Sequence, residues 1–228
     1  MKKIIIGGVA LVVIAGGILG IGKLYTNATG ANAVLEEKYS SEINEIAAEG
    51  IDYSEYYSAE GDMEQVIENA EEEIAEVGEN IAITEEEVNQ YEAFYELQGE
   101  KDAEEKALSY AEERNALYVK AIENGYDVTD EEVYAYLDEL KAMLQEENNQ
   151  EMYHSAMEGF ESEEDYWAYE FTVYKVDLPI QKYNAAMEEA YREKSNLNEN
   201  EFDKAWSEEF EEIKEEAVKE QNFENKQE

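Results

Sequence analysis

Carboxylates and a single histidine, His154, are the side chains of this 228-residue chain that could carry acid–base chemistry. A catalytic histidine needs a partner that orients it and a nucleophile or substrate site within reach. His154 has no such partner at a recognisable spacing, and the 59 Asp and Glu residues are so widespread that no carboxylate pair stands out. The sequence therefore predicts no catalytic residue, and we do not expect an enzyme.

Metal-binding chemistry also lacks its usual residues. Cysteine is absent and histidine occurs once, which excludes a thiolate site and a poly-histidine centre. Calcium prefers carboxylate oxygens, but no stretch has the D-x-[DN]-x-[DN]-G loop, and the acidic residues are mostly glutamates in helical patterns. We expect no metal site and no cofactor.

The charge balance restricts the class of partner. Seventeen Lys and Arg residues against 59 Asp and Glu residues give a net charge of −42. A phosphate backbone is repelled by such a surface, so nucleic acid is excluded as a partner.

Tyrosine and methionine are the residues that could form a binding surface. The chain has 18 Tyr and six Met, among them Met143, Met152, Met157 and Met187. A tyrosine ring is apolar while its hydroxyl stays hydrated, and methionine adapts to varied shapes. The combination is typical of an adaptable groove for apolar segments of other chains, or simply of a helical core with a solvated acidic exterior.

An apolar run at residues 4–22, flanked by lysines, decides the expected location. At about 1.5 Å per residue, a helix of this length nearly crosses a hydrocarbon core about 30 Å thick. We predict a transmembrane or signal helix at residues 1–25 of a single-pass cell-membrane protein, with a cytoplasmic N-terminus and an extracytoplasmic body. Cleavage at the small-x-small pattern of residues 31–33 would instead give a secreted protein.

The rest of the chain divides into three parts. Residues 26–62 predict a juxtamembrane linker or stalk, residues 63–223 an all-α multi-helix domain, and residues 224–228 a polar tail that frays. The segment at residues 73–83 fits either the end of a helix that begins at Met63 or a short strand, turn and strand. Periodicity does not decide between them.

Helix starts are marked by capping residues. Thr-x-x-Glu capping boxes occur at residues 84–87 and 129–132, where the threonine hydroxyl accepts from the third helical residue and the glutamate reaches back to the cap. Ser162 caps a long helical segment, which Pro179 is expected to kink or divide because proline lacks a backbone donor. The last helix is predicted from Asn200.

Two of these helices have well-formed apolar stripes, which most often mark a core. The stripes comprise Val133, Leu137, Leu140 and Leu144 on the helix after Thr129, and Phe202, Trp206, Phe210, Ile213 and Ala217 on the last helix.

Three segments carry a resemblance to a known family. They are ENIAITEEEVNQY at residues 79–91, ALYVKAIENGYDVTDEEVYAYLDELKAM at 116–143, and GFESEEDYWAYEFTVYKVDLPIQKY at 159–183. Over about residues 72–183 the chain resembles the N-terminal chaperone domain of SurA and of the PrsA-type extracytoplasmic foldases. The last helix resembles the C-terminal helix that completes this domain in the family.

The resemblance implies a holdase or foldase that binds unfolded or newly exported polypeptides without ATP. Many members insert a parvulin-type prolyl isomerase domain before the last helix. Here only about 20 residues separate Lys182 from Phe202, too few for a domain. We therefore expect chaperone binding without prolyl isomerase activity.

Candidate peptide-binding residues are apolar side chains near helix ends, where a cleft could open. They are Tyr91, Tyr95, Tyr134, Met152, Phe160 and Trp167. The competing hypothesis is an acidic helical scaffold that binds one dedicated cell-surface partner.

Overall fold

The computed structural model describes residues 53–97, 99–145 and 162–225, together with Tyr153, Met157 and Phe160. The predicted membrane helix and most of the predicted stalk lie outside this part of the chain. Within it, no helix is both long and apolar enough to cross a membrane.

The described part of the chain is mostly helical, as predicted. A 3₁₀ turn at Tyr53–Tyr56 is followed by six α-helices among the described residues. They are α1 (Met63–Asn69), α2 (Glu85–Leu97), α3 (Ala103–Glu123), α4 (Asp130–Leu144), α5 (Glu163–Lys194) and α6 (Glu199–Gln221).

The chain forms two compact units. Residues 52–128 and 175–228 form one, which we call the sheet unit, and residues 129–174 belong to the other, which we call the aromatic unit. The predicted domain boundary at residue 62 falls inside the sheet unit, where Tyr56 is buried and Tyr57 makes a β-bridge with Ile81.

A small antiparallel sheet accompanies the helices of this mostly helical fold. Its strands are β1 (Ile74–Val77), β2 (Ala82–Thr84) and β3 (Glu224–Asn225), in the order β2-β1-β3. Residues 73–83 therefore adopt the strand–turn–strand alternative. The hairpin closes where the Gly78 amide donates to the Ile81 carbonyl at 2.8 Å.

Part of the predicted polar tail is a strand, which corrects the prediction that this segment frays. In β3, Glu224 pairs with Val77 and Asn225 pairs with Glu76. The turn that leads into this strand uses Asn222, whose φ of 48° ends α6 in the left-handed conformation. Pairing across the sheet outweighs the polar composition of the segment.

Three of the helix starts follow their capping side chains. The predicted box of Thr129 and Glu132 is complete, and Ser162 Oγ accepts from the Asp165 amide at 3.1 Å. At α6 the cap is Asn198 with Glu201, a box that sequence reading missed, so the helix begins one residue before the predicted Asn200.

The predicted box at Thr84 is used differently. Thr84 Oγ1 accepts from the Glu87 amide at 3.0 Å, as expected, but the Glu87 carboxylate accepts from Asn115 Nδ2, with Oε2 at 3.0 Å. Glu87 is fully buried and ties α2 to α3 instead of only closing its own helix.

Helix α5 continues through Pro179, so of the two predicted outcomes, a kink or a division, this residue does not divide the helix. Proline in a helix costs about 3 kcal/mol, whereas burying a Leu or Ile side chain contributes about 1.5–3 kcal/mol. Leu178 and Ile180 flank the proline and are only 6% and 4% exposed. Packing of these neighbours offsets the lost hydrogen bond.

Helix α3 is central to the sheet unit and packs against α2, α6 and β2. Ala107 and Ala111 are fully buried on it, and their small side chains allow neighbouring helices to approach closely. Lys214 on α6 donates to Glu113 on α3 at 2.8 Å. These contacts fix α6, one wall of the site described next.

Candidate functional site

A tight turn brings the end of α5 beside the start of α6. The Ser195 amide donates to the Tyr191 carbonyl at 2.9 Å, which extends the last turn of α5. Three residues later, Asn198 Oδ1 accepts from the Glu201 amide at 3.2 Å and Glu201 Oε2 accepts from the Asn198 amide at 3.4 Å. Both helix ends are thus fixed by local hydrogen bonds.

An open cleft of about 540 Å³ lies between these two helices, within the sheet unit. Its apolar lining consists of Met187, Ala190, Tyr191, Leu197, Trp206 and Ile213, and its polar lining of Lys194, Ser195, Asn196 and Glu209. Pockets that bind small ligands typically measure about 300–1,000 Å³. The volume of the cleft lies within this range.

A row of aromatic rings runs beside the cleft, and two of its members, Tyr191 and Trp206, line it. The Tyr191 ring lies 5.8 Å from both the Phe202 and the Trp206 ring, and Trp206 lies 5.6 Å from Phe210, centroid to centroid. These separations are typical of favourable aromatic pairs. Phe202 is only 2% exposed and anchors the row in the core. Tyr191, Trp206 and Phe210 are half-buried.

The apolar stripe of α6 is core at its two ends and surface in its middle. Phe202 and Ala217 are buried, whereas Trp206, Phe210 and Ile213 between them are half-buried. Leu197, in the turn before the helix, is 43% exposed. Apolar surface that stays in contact with water is a source of binding free energy when a partner covers it.

The helices around the cleft are strongly acidic. Residues 187–213 contain ten acidic and three basic side chains. Of the basic ones, Arg192 pairs with Glu188 at 2.8 Å and Lys204 with Glu208 at 3.5 Å. The cleft therefore combines an apolar lining with a negative surrounding field.

The predicted site residues of the aromatic unit lie in two ring clusters. Tyr134 is 57% exposed and stacks on Phe171 at 4.4 Å. Phe160 lies 5.3 Å from the Tyr166 ring, which lies 4.9 Å from the ring of Trp167. Met152 lies outside the described residues.

Tyr91 and Tyr95 lie on α2, in the sheet unit, so the six predicted residues divide between the two units. Tyr91 is 2% exposed and packs edge-on against Tyr110 at 4.7 Å. It is a core residue, which corrects its selection as a surface candidate. Tyr95 is half-buried, and its burial, with the charge of Glu113, raises the pKa of its hydroxyl.

Sequence reading did not single out this cleft. The apolar stripe of the last helix predicts Trp206 and Ile213 as core residues, and Tyr191 and Leu197 are not among the predicted site residues. A signal was present: Met187 and Tyr191 lie four residues apart, one helical turn, just before a short turn and a second apolar stripe. Two such stripes joined by four residues predict a helical hairpin with a shared apolar face.

Buried polar groups elsewhere in the sheet unit do not line the cleft. Burial raises the pKa of the Glu87 carboxyl to about 7, against the opposing effects of Arg114 and the Asn115 hydrogen bond. That value would suit a general acid or base, but the side chain is fully buried and does not line the cleft. No group of three or more His, Asp or Glu side chains in the described residues could hold a metal ion.

The fold and the cleft define a class: a mostly helical, strongly acidic protein with a half-exposed aromatic cleft. Comparison with known protein families, with curated proteins and with solved structures finds no match for this chain.

Proposed function

We propose that this protein is a membrane-anchored extracytoplasmic chaperone, of holdase or foldase type, that binds unfolded or newly exported polypeptides in the cleft between α5 and α6. The observation that carries the proposal is the row of half-buried rings, Tyr191, Trp206 and Phe210, in a chain of net charge −42. The rings supply apolar contact area, and the charge keeps a bound complex soluble.

The chemistry of the cleft suits transient binding. Methionine and tyrosine adapt to different side chains, and an open cleft exchanges its occupant faster than a closed one. Binding of this kind needs no ATP, no cofactor and no bond-making step. The proposal therefore does not include prolyl isomerase activity.

The sequence features support the same assignment. The apolar run at residues 4–22 would hold the protein at the membrane, on the side where exported polypeptides emerge unfolded. The segments that resemble the SurA and PrsA chaperone domain, at residues 79–91, 116–143 and 159–183, lead to the same function by an independent route.

The test is aggregation of a chemically unfolded model protein, followed by light scattering after dilution into the full chain in neutral detergent. We expect suppression at stoichiometric ratios, and its loss on Trp206→Ala or Leu197→Ser. The control Tyr134→Ala changes an exposed ring of the aromatic unit and should leave suppression unchanged.

If Tyr134→Ala abolished the suppression of aggregation and Trp206→Ala retained it, the binding surface would lie at the residues predicted from the sequence and not at the cleft. Scattering no lower than with an equally acidic unrelated helical protein would contradict the chaperone proposal. The acidic scaffold with one dedicated partner would then be the better account, and capture of a single species from an extract would support it.

A further inference from the structure

The charges around the cleft restrict which polypeptide segments it can hold. Residues 187–213 contain three basic side chains, of which Arg192 and Lys204 each form an ion pair with a glutamate. In the described structure, Lys194 is the only basic side chain of this hairpin without an ion pair. Eight acidic side chains of the hairpin remain beyond the two glutamates that pair with Arg192 and Lys204. Glu209 and Lys194 both line the cleft itself, so the excess of negative charge lies on the helices around it. Opposite charges attract an incoming chain toward its site, whereas like charges placed against each other cost free energy of binding.

We propose that the cleft selects apolar segments flanked by lysine or arginine, a selectivity that rests on the chaperone function proposed above. The apolar side chains of the segment contact Tyr191, Trp206 and Leu197, and its basic flanks lie against the carboxylates of α6. Neutral apolar segments bind more weakly, and segments with acidic flanks are rejected.

The same charges argue against occupants from this protein. Residues 34–49 form an apolar-periodic segment outside the described residues, but they contain five glutamates and one lysine. A second copy of the chain has a net charge of −42. Either occupant would bring further negative charge to an acidic hairpin, so a basic polypeptide segment of another protein is the occupant that the electrostatics favour.

The experiment uses three labelled peptides with one shared apolar core of Trp and Leu and with flanks of Lys, Ser or Glu. Their binding to the full chain in neutral detergent is measured by fluorescence anisotropy at about 50 mM and about 300 mM salt. We expect the Lys-flanked peptide to bind about tenfold more tightly than the Ser-flanked one, because several exposed charge pairs act together. The ratio should shrink at the higher salt concentration.

Three variants separate the apolar and the charged contributions. Leu197→Ser changes an exposed position of the turn and should not disturb the fold. It should weaken the binding of every peptide that the cleft binds. Glu209→Lys should reduce the preference for Lys flanks, whereas Glu131→Lys, the same change of charge on α4 at a residue that does not line the cleft, should retain it.

Each failure has a distinct meaning. Equal binding of the three peptides, lost in Leu197→Ser, would overturn the charge selectivity and leave the chaperone cleft standing. Absence of binding by all three would overturn the proposed function. Lys-dependent binding that is unaffected by Leu197→Ser and Glu209→Lys would show attraction to the acidic surface in general, and would overturn this site.

Discussion

Arg114 donates from both Nε and Nη2 to Asp177 Oδ1, at 3.0 Å and 2.8 Å, in the interior of the sheet unit. Arg114 and Asp177 are 3% and 7% exposed, and their ion pair joins the middle of α3 to α5 just before Pro179. Arg114 also faces the buried Glu87, whose charge it favours. One guanidinium therefore compensates two buried carboxyl groups.

Arg114→Met should destabilise the protein strongly, because it leaves Asp177 and Glu87 buried without their cation. The loss of a partner from a buried ion pair costs about 3–5 kcal/mol. The measurement is chemical denaturation followed by circular dichroism. The matched control is Lys204→Met, which removes an exposed ion pair with Glu208 and should cost less than about 1 kcal/mol. Similar losses for the two variants would contradict a structural role for the Arg114–Asp177 pair.

Stability should fall as the pH rises from about 5 to 8. Burial and the neighbouring charges of Glu76 and Glu113 raise the pKa of Glu112 from 4.5 to about 7, and burial raises that of Glu87 to about 7. Between the ordinary and the raised pKa of these carboxyl groups, the folded protein binds more protons than the unfolded chain. The free energy of unfolding therefore decreases with increasing pH. The free energy of unfolding, measured across this range, should decrease most steeply between pH 5 and 7.

Glu112→Gln isolates one of these carboxyl groups. An amide cannot ionise, so this variant should be more stable than the parent at pH 8 by about 1–2 kcal/mol, and the difference should narrow at pH 5. Glu131→Gln, at an exposed position, is the control for the change in net charge. A parent protein whose stability increases from pH 5 to 8 would contradict the sign of these pKa shifts.

Gly78→Ala should loosen the attachment of the C-terminal strand. A Cβ at this position would lie 2.9 Å from both Gln221 Oε1 and Phe223 Cε1, closer than van der Waals contact allows. The Gln221 side chain also accepts from the Asn80 amide at 3.0 Å. We expect a cost of about 1–3 kcal/mol and faster hydrogen exchange in β3, by the usual effect of overpacking. Glu79→Ala, at the exposed neighbouring position, should change stability by less than about 0.5 kcal/mol.

Asn198→Ala should weaken both α6 and the cleft. It removes the side chain that accepts from the Glu201 amide, and the loss of an N-cap costs about 1 kcal/mol. Because this cap fixes the turn that contains Leu197, binding of an apolar peptide should weaken as well. Asn198→Ser retains the capping oxygen and should restore both thermal stability and binding. If Asn198→Ala destabilised the protein but left peptide binding unchanged, the cap would not be needed to position the cleft.

Local signals in the sequence were sufficient for several elements. The Thr129 box and the stripe at Val133, Leu137, Leu140 and Leu144 depend on residues within a few turns of one another, and all four apolar residues are buried as the periodicity predicts. The same holds for the cap at Ser162.

Features that depend on distant residues could not be predicted in this way. Glu87 belongs to a capping pattern, yet its carboxylate is held by Asn115, which only packing brings near. The strand at Glu224 and Asn225 has a polar sequence and exists because β1 offers it a partner. The cleft depends on how α6 packs against α5. A stripe of apolar residues has the same periodicity in the sequence whether a neighbouring helix covers it or leaves it exposed.

The order of strands in the sheet has a consequence for synthesis. β2 follows β1 after a short turn, but β3 pairs with the other edge of β1 from about 150 residues further along the chain. At about 5–20 residues per second, that edge waits roughly 7–30 s for its partner after β1 has emerged. An unpaired edge is a template for pairing with other chains, so the nascent protein carries its own aggregation hazard through most of its elongation. Glu76 on that strand, and the abundance of negative charge around it, repel neighbouring copies during this interval.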